Sequence, residues 1–273
     1  MKHKARKRFG QNFLTNQSII LQIIQTIGVQ AEDHIVEVGP GKGALTRHLL
    51  SACNNLDAIE LDRDLIPLLK ISLASYSQKF NLINQDILTV DLCQLVKSNQ
   101  QTIRVIGNLP YNISTPVLFH FMQYRHCIKD MFFMLQKEVV DRLAATPGNK
   151  SYGRLSIIMQ YYFNIEKCFD VPPSAFQPAP KVDSAIVTLV PYSDLNTQHG
   201  IVLEETRALQ DICQLAFGQR RKTLRNNLKK VLSSEQITEL DIDPSVRAET
   251  LTLYDFIKLA NLYYQQNKSS SAD

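Results

Sequence analysis

Between residues 34 and 137 the chain alternates short apolar runs with segments of helical periodicity, and this alternation restricts the fold more than any other feature. The apolar runs cover residues 34–38, 56–60, 80–84, 103–107 and 131–135. In the segments between them, apolar residues recur at a spacing near 3.6 residues, which is the period of an α-helix. Repeated strand–helix–strand units are right-handed and build a parallel sheet that helices cover on both faces.

Two later apolar runs, 166–171 and 185–190, bring the number of predicted strands to seven. The proline-rich segment between them, residues 172–180, excludes an α-helix. We expect the last strand to return antiparallel at the edge of the sheet. The sequence therefore predicts an α/β fold with a mostly parallel seven-stranded sheet.

The character of the chain changes after Pro191. Residues 192–203 are polar and predict a linker. Residues 204–265 show helical patterns without a strand signal, which predicts a small all-helical domain. The serine-rich end, 266–273, is expected to be disordered. The first domain is accordingly predicted to span residues 1–191.

Positive charge is concentrated in two stretches of a chain whose net charge is only +4. The first is a basic N-terminal arm, 1–14, with Lys4, Arg6, Lys7 and Arg8. The second, residues 217–230, has no acidic residue and includes Arg220, Arg221, Lys222 and Arg225. Basic clusters of this kind favour contact with the phosphate backbone of RNA or DNA over a merely solvated surface.

Cysteine usage and hydropathy indicate the cellular compartment. The five cysteines are far apart in sequence, and no pair has the spacing of a metal site: Cys53, Cys93, Cys127, Cys168 and Cys213. We therefore expect reduced thiols in a cytoplasmic protein and no bound metal. No apolar run is long enough to span a membrane, and no apolar segment of a secretory signal follows the basic N-terminus.

A glycine-rich turn follows the first predicted strand of the alternating region. Gly39 and Gly41 allow a ligand to approach the backbone, and the next helix presents free N–H groups. Glu60 ends the second strand, 21 residues after Gly39, where a carboxylate can accept two ribose hydroxyls. Asp86 follows the third strand and can accept a hydrogen bond from an adenine amine or cap a helix. The pattern predicts a nucleoside cofactor and leaves its identity open, since a dinucleotide fits as well.

The segment that follows the fourth strand has the composition of a cradle for a flat base. The side-chain carbonyl of Asn108 and a backbone carbonyl near Leu109 can accept both hydrogens of an exocyclic amine, which frees the nitrogen lone pair. Pro110 leaves neighbouring carbonyls without a competing amide, and the ring of Tyr111 can stack on the base. Phe176 either closes the other face of the base or anchors the core. These features predict methyl transfer to the amino group of adenine.

Six segments stand out as a set: RFGQNFL (8–14), EVGPGKG (37–43), NLPYNISTP (108–116), FQPAPKVDS (176–184), FGQRRKTLRN (217–226) and RAETL (247–251). The first four together resemble motifs of the ribosomal RNA adenine N6-dimethyltransferases. The last two resemble the bacterial small-subunit (16S) branch of that family. The resemblance covers about residues 6 to 263, which is nearly the whole chain.

The resemblance implies a Rossmann-like methyltransferase fold for the catalytic domain and S-adenosyl-L-methionine as the methyl donor. The family's cofactor positions fall on Asn12, Leu14, Gly39, Glu60, Asp86 and Asn108. It also implies the substrate: two adjacent adenosines in a hairpin loop near the 3′ end of 16S rRNA, each dimethylated within an immature 30S subunit. We further expect a monomer that binds RNA through its helical domain and does not bind membranes.

Three alternatives remain at this point. The branch of the family that methylates one adenine of 23S rRNA shares the glycine turn and the base cradle. A ribosome-assembly factor that acts mainly by binding would use the same basic clusters. An NAD-dependent dehydrogenase would share the glycine turn, but the chain offers no clear acid–base pair for hydride chemistry.

Overall fold

The computed structural model of the chain describes residues 11–96 and 102–269. The strands in this part of the chain are β1 (Phe13–Leu14), β2 (His34–Val38), β3 (Asn55–Ile59), β4 (Phe80–Ile83), β5 (Ile103–Asn108), β6 (Ile128–Gln136), β7 (Phe163–Val171), β8 (Phe176–Gln177) and β9 (Ser184–Pro191). The α-helices are α1 (Gln17–Ile27), α2 (Thr46–Ala52), α3 (Leu65–Ser72), α4 (Ser114–Gln123), α5 (Lys137–Leu143), α6 (Arg154–Tyr162), α7 (Leu195–His199), α8 (Thr206–Ala216), α9 (Leu224–Leu228), α10 (Ser234–Glu239) and α11 (Leu253–Ser269).

Seven of these strands form one sheet in the order β4-β3-β2-β5-β6-β9-β7. The strands β2 to β6 pair in parallel, and β9 runs antiparallel to β6. This arrangement confirms the predicted mostly parallel sheet. The position of the last strand differs from the prediction, because β9 lies between β6 and β7 and the edge strand is β7. From β2 the chain adds β3 and then β4 on one side, and it then returns to the other side of β2 to form β5. The order of strands therefore reverses between β2 and β5. In open α/β sheets, ligands bind beyond the carboxyl ends of the strands at such a point.

The central strands are buried because they are apolar and covered on both faces. Every residue of β2 is buried, as the continuous apolar run predicts for a central parallel strand. At the carboxyl end of β5, Gly107 allows an unusually close strand approach. A Cβ atom at this position would lie 2.7 Å from the carbonyl oxygen of Val38, so no larger residue fits without a shift of the backbone.

The amino edge of the sheet contains a buried ionic network that the apolar pattern of β5 did not reveal. The guanidinium of Arg104 contacts the carboxylates of Asp33 at 2.7 Å and Asp130 at 2.8 Å. It also donates to the carbonyl of Ile27 at 2.8 Å. Lys129 reaches the second oxygen of Asp33 at 3.1 Å. Each charge in this network therefore has a partner of opposite charge.

The disulfide between Cys93 and Cys127 is a correction to the expected reduced thiols. Two 3-10 turns, Leu92–Leu95 and Arg125–Cys127, bring the two residues together with their Cα atoms 5.6 Å apart. Their separation of 34 positions in the chain hides this proximity from any reading of local spacing. Cys53, Cys168 and Cys213 are free cysteines.

The described residues divide into two compact units, one within 1–140 and 166–191 and the other within 141–165 and 192–273. The predicted boundary after Pro191 coincides with a boundary between units. The segment 141–165 differs from the prediction, because it joins the second unit although it interrupts the first in sequence. In that segment, α6 contributes buried apolar side chains to the second unit.

Two parts of the second unit are helical where the sequence predicted irregular structure. The predicted linker, 192–203, contains α7, which the side chain of Asp194 caps by accepting from the amide of Asn196 at 3.0 Å. The tail predicted to be disordered, 266–273, begins inside α11, since no glycine or proline interrupts that helix before Ser269. Residues 270–273 of the tail lie outside the described residues. No helix in the described ranges has both the length and the apolarity needed to cross a bilayer.

Candidate active site

A cavity of about 480 Å³ opens at the carboxyl edge of the parallel strands. Its walls come mainly from residues 11–15, 37–42, 59–61, 85–87 and 108–113, which follow β2, β3, β4 and β5 or precede α1. All the predicted cofactor positions line it: Asn12, Leu14, Gly39, Gly41, Glu60, Asp86 and Asn108. The fold thus brings together residues that are almost one hundred positions apart in the chain.

The glycine turn has the backbone conformation that its composition predicts. Gly39 and Gly41 have φ angles of 66° and 60°, in the left-handed region that favours glycine. A Cβ atom at Gly41 would lie 3.2 Å from the ring of Phe13, so the turn also packs closely against β1. The ammonium of Lys42 lies 4.4 Å from the centre of the same ring. The segment before α1 therefore folds over the glycine turn.

Glu60 lies opposite the glycine turn and is held by two backbone amides. Its Oε2 accepts from the amide of Gly41 at 3.1 Å, and its Oε1 accepts from the amide of Asp62 at 2.8 Å. Burial raises the pKa of this carboxyl, although the two amides act in the opposite direction. Each carboxylate oxygen has a second lone pair, so Glu60 can still accept two hydroxyl hydrogens from a ligand.

Glu37 is a residue of the site that sequence reasoning missed. Its side chain lines the cavity, and its Oε2 is buried without a hydrogen-bond partner in the described residues. Burial raises the pKa of Glu37 to about 8, and the nearby charge of Glu60 acts in the same direction. A buried carboxyl of this kind is suited to a cationic ligand group. The signal was present in the sequence as the single acidic residue in the run HIVEV.

Asp86 acts as a helix cap, one of its two sequence interpretations, and its position leaves the other open. Its Oδ1 accepts from the amide of Leu88 at 3.0 Å and caps the short 3-10 helix Ile87–Thr89. Its side chain also lines the cavity. Among the described residues nothing donates a hydrogen bond to its Oδ2, which leaves one oxygen for an amine of a ligand.

Asn108 and Leu109 present two acceptors on the wall of the cavity. The Nδ2 of Asn108 donates to the carbonyl of Asn12 at 3.1 Å, and its Oδ1 accepts no hydrogen bond from the described residues. The carbonyl of Leu109 is likewise unpaired within the described ranges. By contrast, the carbonyl of Pro110 accepts from the amide of Ile113 at 3.1 Å. The two unpaired acceptors therefore belong to consecutive residues, as the base-cradle prediction requires.

Tyr111 lines the same wall, and its hydroxyl has a partner that the sequence did not indicate. Its Oη lies 2.6 Å from the Oγ of Ser184, which is fully buried at the start of β9. Burial also raises the pKa of Tyr111. The hydrogen bond holds the hydroxyl end of the side chain, so the position of the ring beside the cavity is restricted before any base arrives.

Phe176 occupies a different place from the one predicted for it beside the base. Its side chain is 5% exposed, belongs to the core, and is not part of the cavity wall. The reason is strand pairing, because β8 pairs with β1 and sets Phe176 opposite Leu14. Phe176 therefore supports the segment that carries Asn12 and Leu14, and of its two sequence interpretations the structure favours the core anchor.

The C-terminal basic cluster lies in the second unit and is exposed. Arg220, Arg221 and Lys222 lie in the turn between α8 and α9, and Arg225 lies in α9. Arg220 is engaged within the protein, since its Nε is 3.3 Å from Glu249 and its guanidinium donates to the carbonyl of Lys150. The residues predicted for the N-terminal arm, Lys4, Arg6, Lys7 and Arg8, lie outside the described residues.

The strand order, the glycine turn and the cavity at the carboxyl edge define a Rossmann-like methyltransferase whose donor is S-adenosyl-L-methionine. Residues 2–265 match the family described as ribosomal RNA adenine dimethylase, and the chain belongs to this family.

The relatives agree with this assignment over nearly their whole length. The chain is 49% identical to "Ribosomal RNA small subunit methyltransferase A" of Hahella chejuensis, over 96% of this chain and 94% of the relative. It is 51% identical to the protein of the same name from Saccharophagus degradans, over 95% and 94%. Among solved structures, a dimethyladenosine transferase from Plasmodium falciparum is 25% identical with a TM-score of 0.78, over 93% of this chain and 98% of that one. The 23S rRNA methyltransferase ErmE shares the fold, with 21% identity and a TM-score of 0.70 over 93% and 100%.

Proposed function

We propose that this protein transfers methyl groups to the N6 amines of two adjacent adenosines in a hairpin loop near the 3′ end of 16S rRNA. It acts in the cytoplasm, as a monomer, on an immature 30S subunit and gives N6,N6-dimethyladenosines. The observation that carries the chemistry is the pair of unpaired acceptors, Asn108 Oδ1 and the Leu109 carbonyl, on the wall of the donor cavity. The choice of the small subunit rests on the names of the relatives at about 50% identity.

The cavity offers groups that suit the positive charge, the ribose and the adenine of S-adenosyl-L-methionine. The donor supplies an electrophilic methyl group on a sulfonium. The buried carboxyl of Glu37 suits its positive charge, and Glu60 can accept its two ribose hydroxyls. Asp86 has one oxygen for the adenine amine. Asn12, Leu14, Gly39 and Gly41 complete the walls and let the ligand approach the backbone.

The acceptor amine is activated by position rather than by a strong base. The amine of adenine is a poor nucleophile because its lone pair is delocalised into the ring. When Asn108 Oδ1 and the Leu109 carbonyl accept both hydrogens, the nitrogen is held in a tetrahedral shape with its lone pair free. Pro110 restricts the backbone of Leu109, which limits the directions that the Leu109 carbonyl can take. The carbon–nitrogen bond would form as the methyl–sulfur bond breaks, with the sulfur leaving as a neutral thioether, and the surplus proton on nitrogen would pass to water.

Tyr111 holds the base once it has left its neighbours in the RNA. Stacking of a base on an aromatic ring contributes about 1–3 kcal/mol, and it does not depend strongly on which base is bound. The two acceptors favour a base with an exocyclic amine, such as adenine, over uracil, which has none. A monomethylated amine has one hydrogen left and still satisfies one acceptor, so a second transfer at the same nitrogen is compatible with this site.

We propose that the C-terminal basic cluster contacts rRNA phosphates through Arg221, Lys222 and Arg225, which are exposed. Arg220 is excluded from this set because Glu249 and the Lys150 carbonyl already engage it. Replacing the three residues by alanine should weaken particle binding and lower the slope of log affinity against log salt by about 2–3, since each phosphate contact releases condensed counterions. Lys70→Ala, on the exposed face of α3, is the control. An unchanged slope in the triple variant would reduce the cluster to a solvated surface.

The direct test is methyl transfer from labelled donor to ribosomal subunits that lack these modifications, followed by mapping of the labelled bases. We expect label on N6 of two neighbouring adenosines near the 3′ end of 16S rRNA. Label in 23S rRNA instead would show that the protein belongs with the large-subunit branch. Stable binding to 30S particles without transfer would favour an assembly factor.

A further inference from the structure

A second chemically distinctive cluster lies at the amino edge of the sheet, away from the donor cavity. Cys93 lies in the 3-10 turn Leu92–Leu95, and His126 and Cys127 lie in the turn Arg125–Cys127 that leads into β6. The sulfur of Cys93 is 3.2 Å from the Nε2 of His126. The ligand atoms of all three residues lie within 4.8 Å of one another. None of the three lines the donor cavity.

The metal-ligand atoms that this cluster offers are those of a zinc site. Two thiolates and one imidazole are ligands that Zn²⁺ prefers, in contrast to the carboxylate and carbonyl oxygens preferred by Mg²⁺ or Ca²⁺. In the structure a disulfide joins the two sulfurs. A reducing compartment keeps thiols unpaired, so the reduced pair is the form in which metal binding has to be considered.

The backbone geometry suits an ion as well as a disulfide. The Cα atoms of Cys93 and Cys127 are 5.6 Å apart, so both side chains can reach one ion. Zn–S bonds of about 2.3 Å in a tetrahedral site keep two thiolates roughly 3.8 Å apart. Reduction alone separates the sulfurs to about that distance, because non-bonded sulfur atoms cannot approach more closely. Only rotation of the side chains is needed.

Both turns are closed by local hydrogen bonds, which sets the position of the ligands in advance. Asp91 Oδ1 accepts from the amide of Cys93 at 3.0 Å. The amide of Cys127 donates to the carbonyl of Tyr124 at 3.0 Å. His126 is exposed and Cys93 is partly exposed, so an ion has access from solvent and water can fill a fourth position.

We propose that the reduced protein binds one Zn²⁺ through Cys93, His126 and Cys127, and that zinc binding and the disulfide exclude each other. Binding releases the two thiol protons to solvent, and neither the metal nor the sulfur changes oxidation state. The ion would cross-link the connection before β5 to the connection before β6, on the opposite edge of the sheet from methyl transfer. This site differs from the expectation of no bound metal, because the ligands come from two turns that are distant in the chain.

The test uses the full-length protein, reduced with a phosphine under anaerobic conditions and titrated with Co²⁺ as a spectroscopic substitute for Zn²⁺. We expect one equivalent of Co²⁺ to bind with the near-ultraviolet absorption of thiolate-to-cobalt charge transfer, and Zn²⁺ to abolish that absorption. Cys93→Ser and His126→Ala should each weaken binding at least about tenfold. Because His126 is exposed, His126→Ala should fold normally. Cys168→Ser removes a free thiol outside the cluster and should change nothing.

Three results would overturn the proposal. The first is the absence of charge-transfer absorption in the fully reduced protein. The second is the same absorption in Cys93→Ser, which would place the thiolate ligands elsewhere. The third is equally tight binding by protein whose disulfide has been verified by thiol counting, since the oxidised pair cannot supply thiolates.

Discussion

The two edges of the central sheet differ in whether their polar groups have partners within the protein. At the amino edge, Arg104 is enclosed by Asp33 and Asp130, and every charge has a partner within 3.1 Å. At the carboxyl edge, acceptor atoms of Glu37 and Asn108 have no hydrogen-bond partner in the described residues. The same strands carry both sets, so the difference does not arise from the type of secondary structure.

The contrast shows which polar groups maintain the fold and which are kept for a ligand. A buried polar atom without a partner costs about 1–3 kcal/mol, so such atoms are uncommon in native proteins. Where such an atom lines a cavity, as Oε2 of Glu37 does, a bound molecule can complete its hydrogen bonding. Oγ1 of Thr46 is also buried without a partner among the described residues, and it lies outside the cavity wall. The same holds at the amino edge for Nδ1 of His34, whose Nε2 contacts Asp57 at 2.5 Å. The structure offers no ligand-binding role for that atom.

The largest expected effect concerns the carboxyl edge of the sheet, where acceptor atoms have no partner among the described residues. Asn108→Ala should reduce the single-turnover rate of methylation about 10²–10³-fold, because one of two groups that align the amine is lost. Its free energy of unfolding should change little, since the residue is partly exposed at a strand end. Asn81→Ala is the matched control, since its amide donates to Asp57 at 2.7 Å away from the cavity. A comparable loss of rate in Asn81→Ala would mean that the two edges do not differ as described.

The next effect concerns the amino edge, where the charges are paired, and it should appear in the free energy of unfolding. Arg104→Met should lower the free energy of unfolding by about 3–5 kcal/mol, because it leaves the buried carboxylates of Asp33 and Asp130 without their main partner. Lys129→Met should cost less than about 1 kcal/mol, since that side chain is 53% exposed. Denaturant unfolding of both variants measures the difference. Equal losses in the free energy of unfolding would show that the buried ion pairs of Arg104 stabilise the fold no more than the exposed pair of Lys129.

The role of Glu37 at the carboxyl edge can be tested through the pH dependence of donor binding. Burial raises the pKa of this carboxyl to about 8. A cationic donor stabilises the ionised carboxylate, so affinity for S-adenosyl-L-methionine should increase from pH 6 to pH 8, by at most tenfold per unit. Protein stability should change in the opposite direction, because a raised pKa favours the protonated, folded form and this contribution is lost as pH rises through 8.

Calorimetric titration of wild type and Glu37→Gln at several pH values checks the assignment. The variant should retain only the weaker slope that Glu60 contributes, since the pKa of Glu60 is also raised by burial. An unchanged slope in Glu37→Gln would assign the pH dependence to another group.

The smallest effect concerns the bond between Tyr111 and Ser184. From the sequence alone Tyr111→Phe should be mild, because stacking uses the ring. The structure adds a cost, since Phe leaves the buried hydroxyl of Ser184 without a partner. We expect a loss of about 1 kcal/mol in the free energy of unfolding, with donor affinity unchanged. Ser184→Ala should behave similarly, and the double variant should show no further loss. Additive losses would mean that the two hydroxyls act independently.

Local patterns were sufficient to predict the sheet. Each predicted strand is present, and β2 has the predicted bounds, because a continuous apolar run in a parallel sheet has few alternatives. β6 and β7 each begin three residues earlier than predicted, because their first residues extend beyond the apolar runs that the prediction used. It could also be predicted that Gly39, Glu60 and Asp86 lie around one cavity, since consecutive parallel strands end at the same edge of the sheet.

The features that were not predicted depend on contacts between distant parts of the chain. The pairing of Cys93 with Cys127 joins two turns that no local pattern connects. The hydroxyl pair of Tyr111 and Ser184 spans 73 positions. The choice between the two interpretations of Phe176 depended on its pairing with Leu14, across β1 and β8, which is likewise invisible in sequence. Short helices such as α7 are set by capping residues that also occur in loops.

The measurement that tests the central claim most directly applies two readouts to two variants. Single-turnover methylation of 30S particles and the free energy of unfolding are measured for Asn108→Ala and Arg104→Met. The account predicts a crossed result: Asn108→Ala loses methylation and keeps stability, whereas Arg104→Met loses stability and keeps its rate per folded molecule. Near-wild-type methylation by Asn108→Ala would contradict the claim that the unpaired acceptors at the carboxyl edge activate the adenine amine.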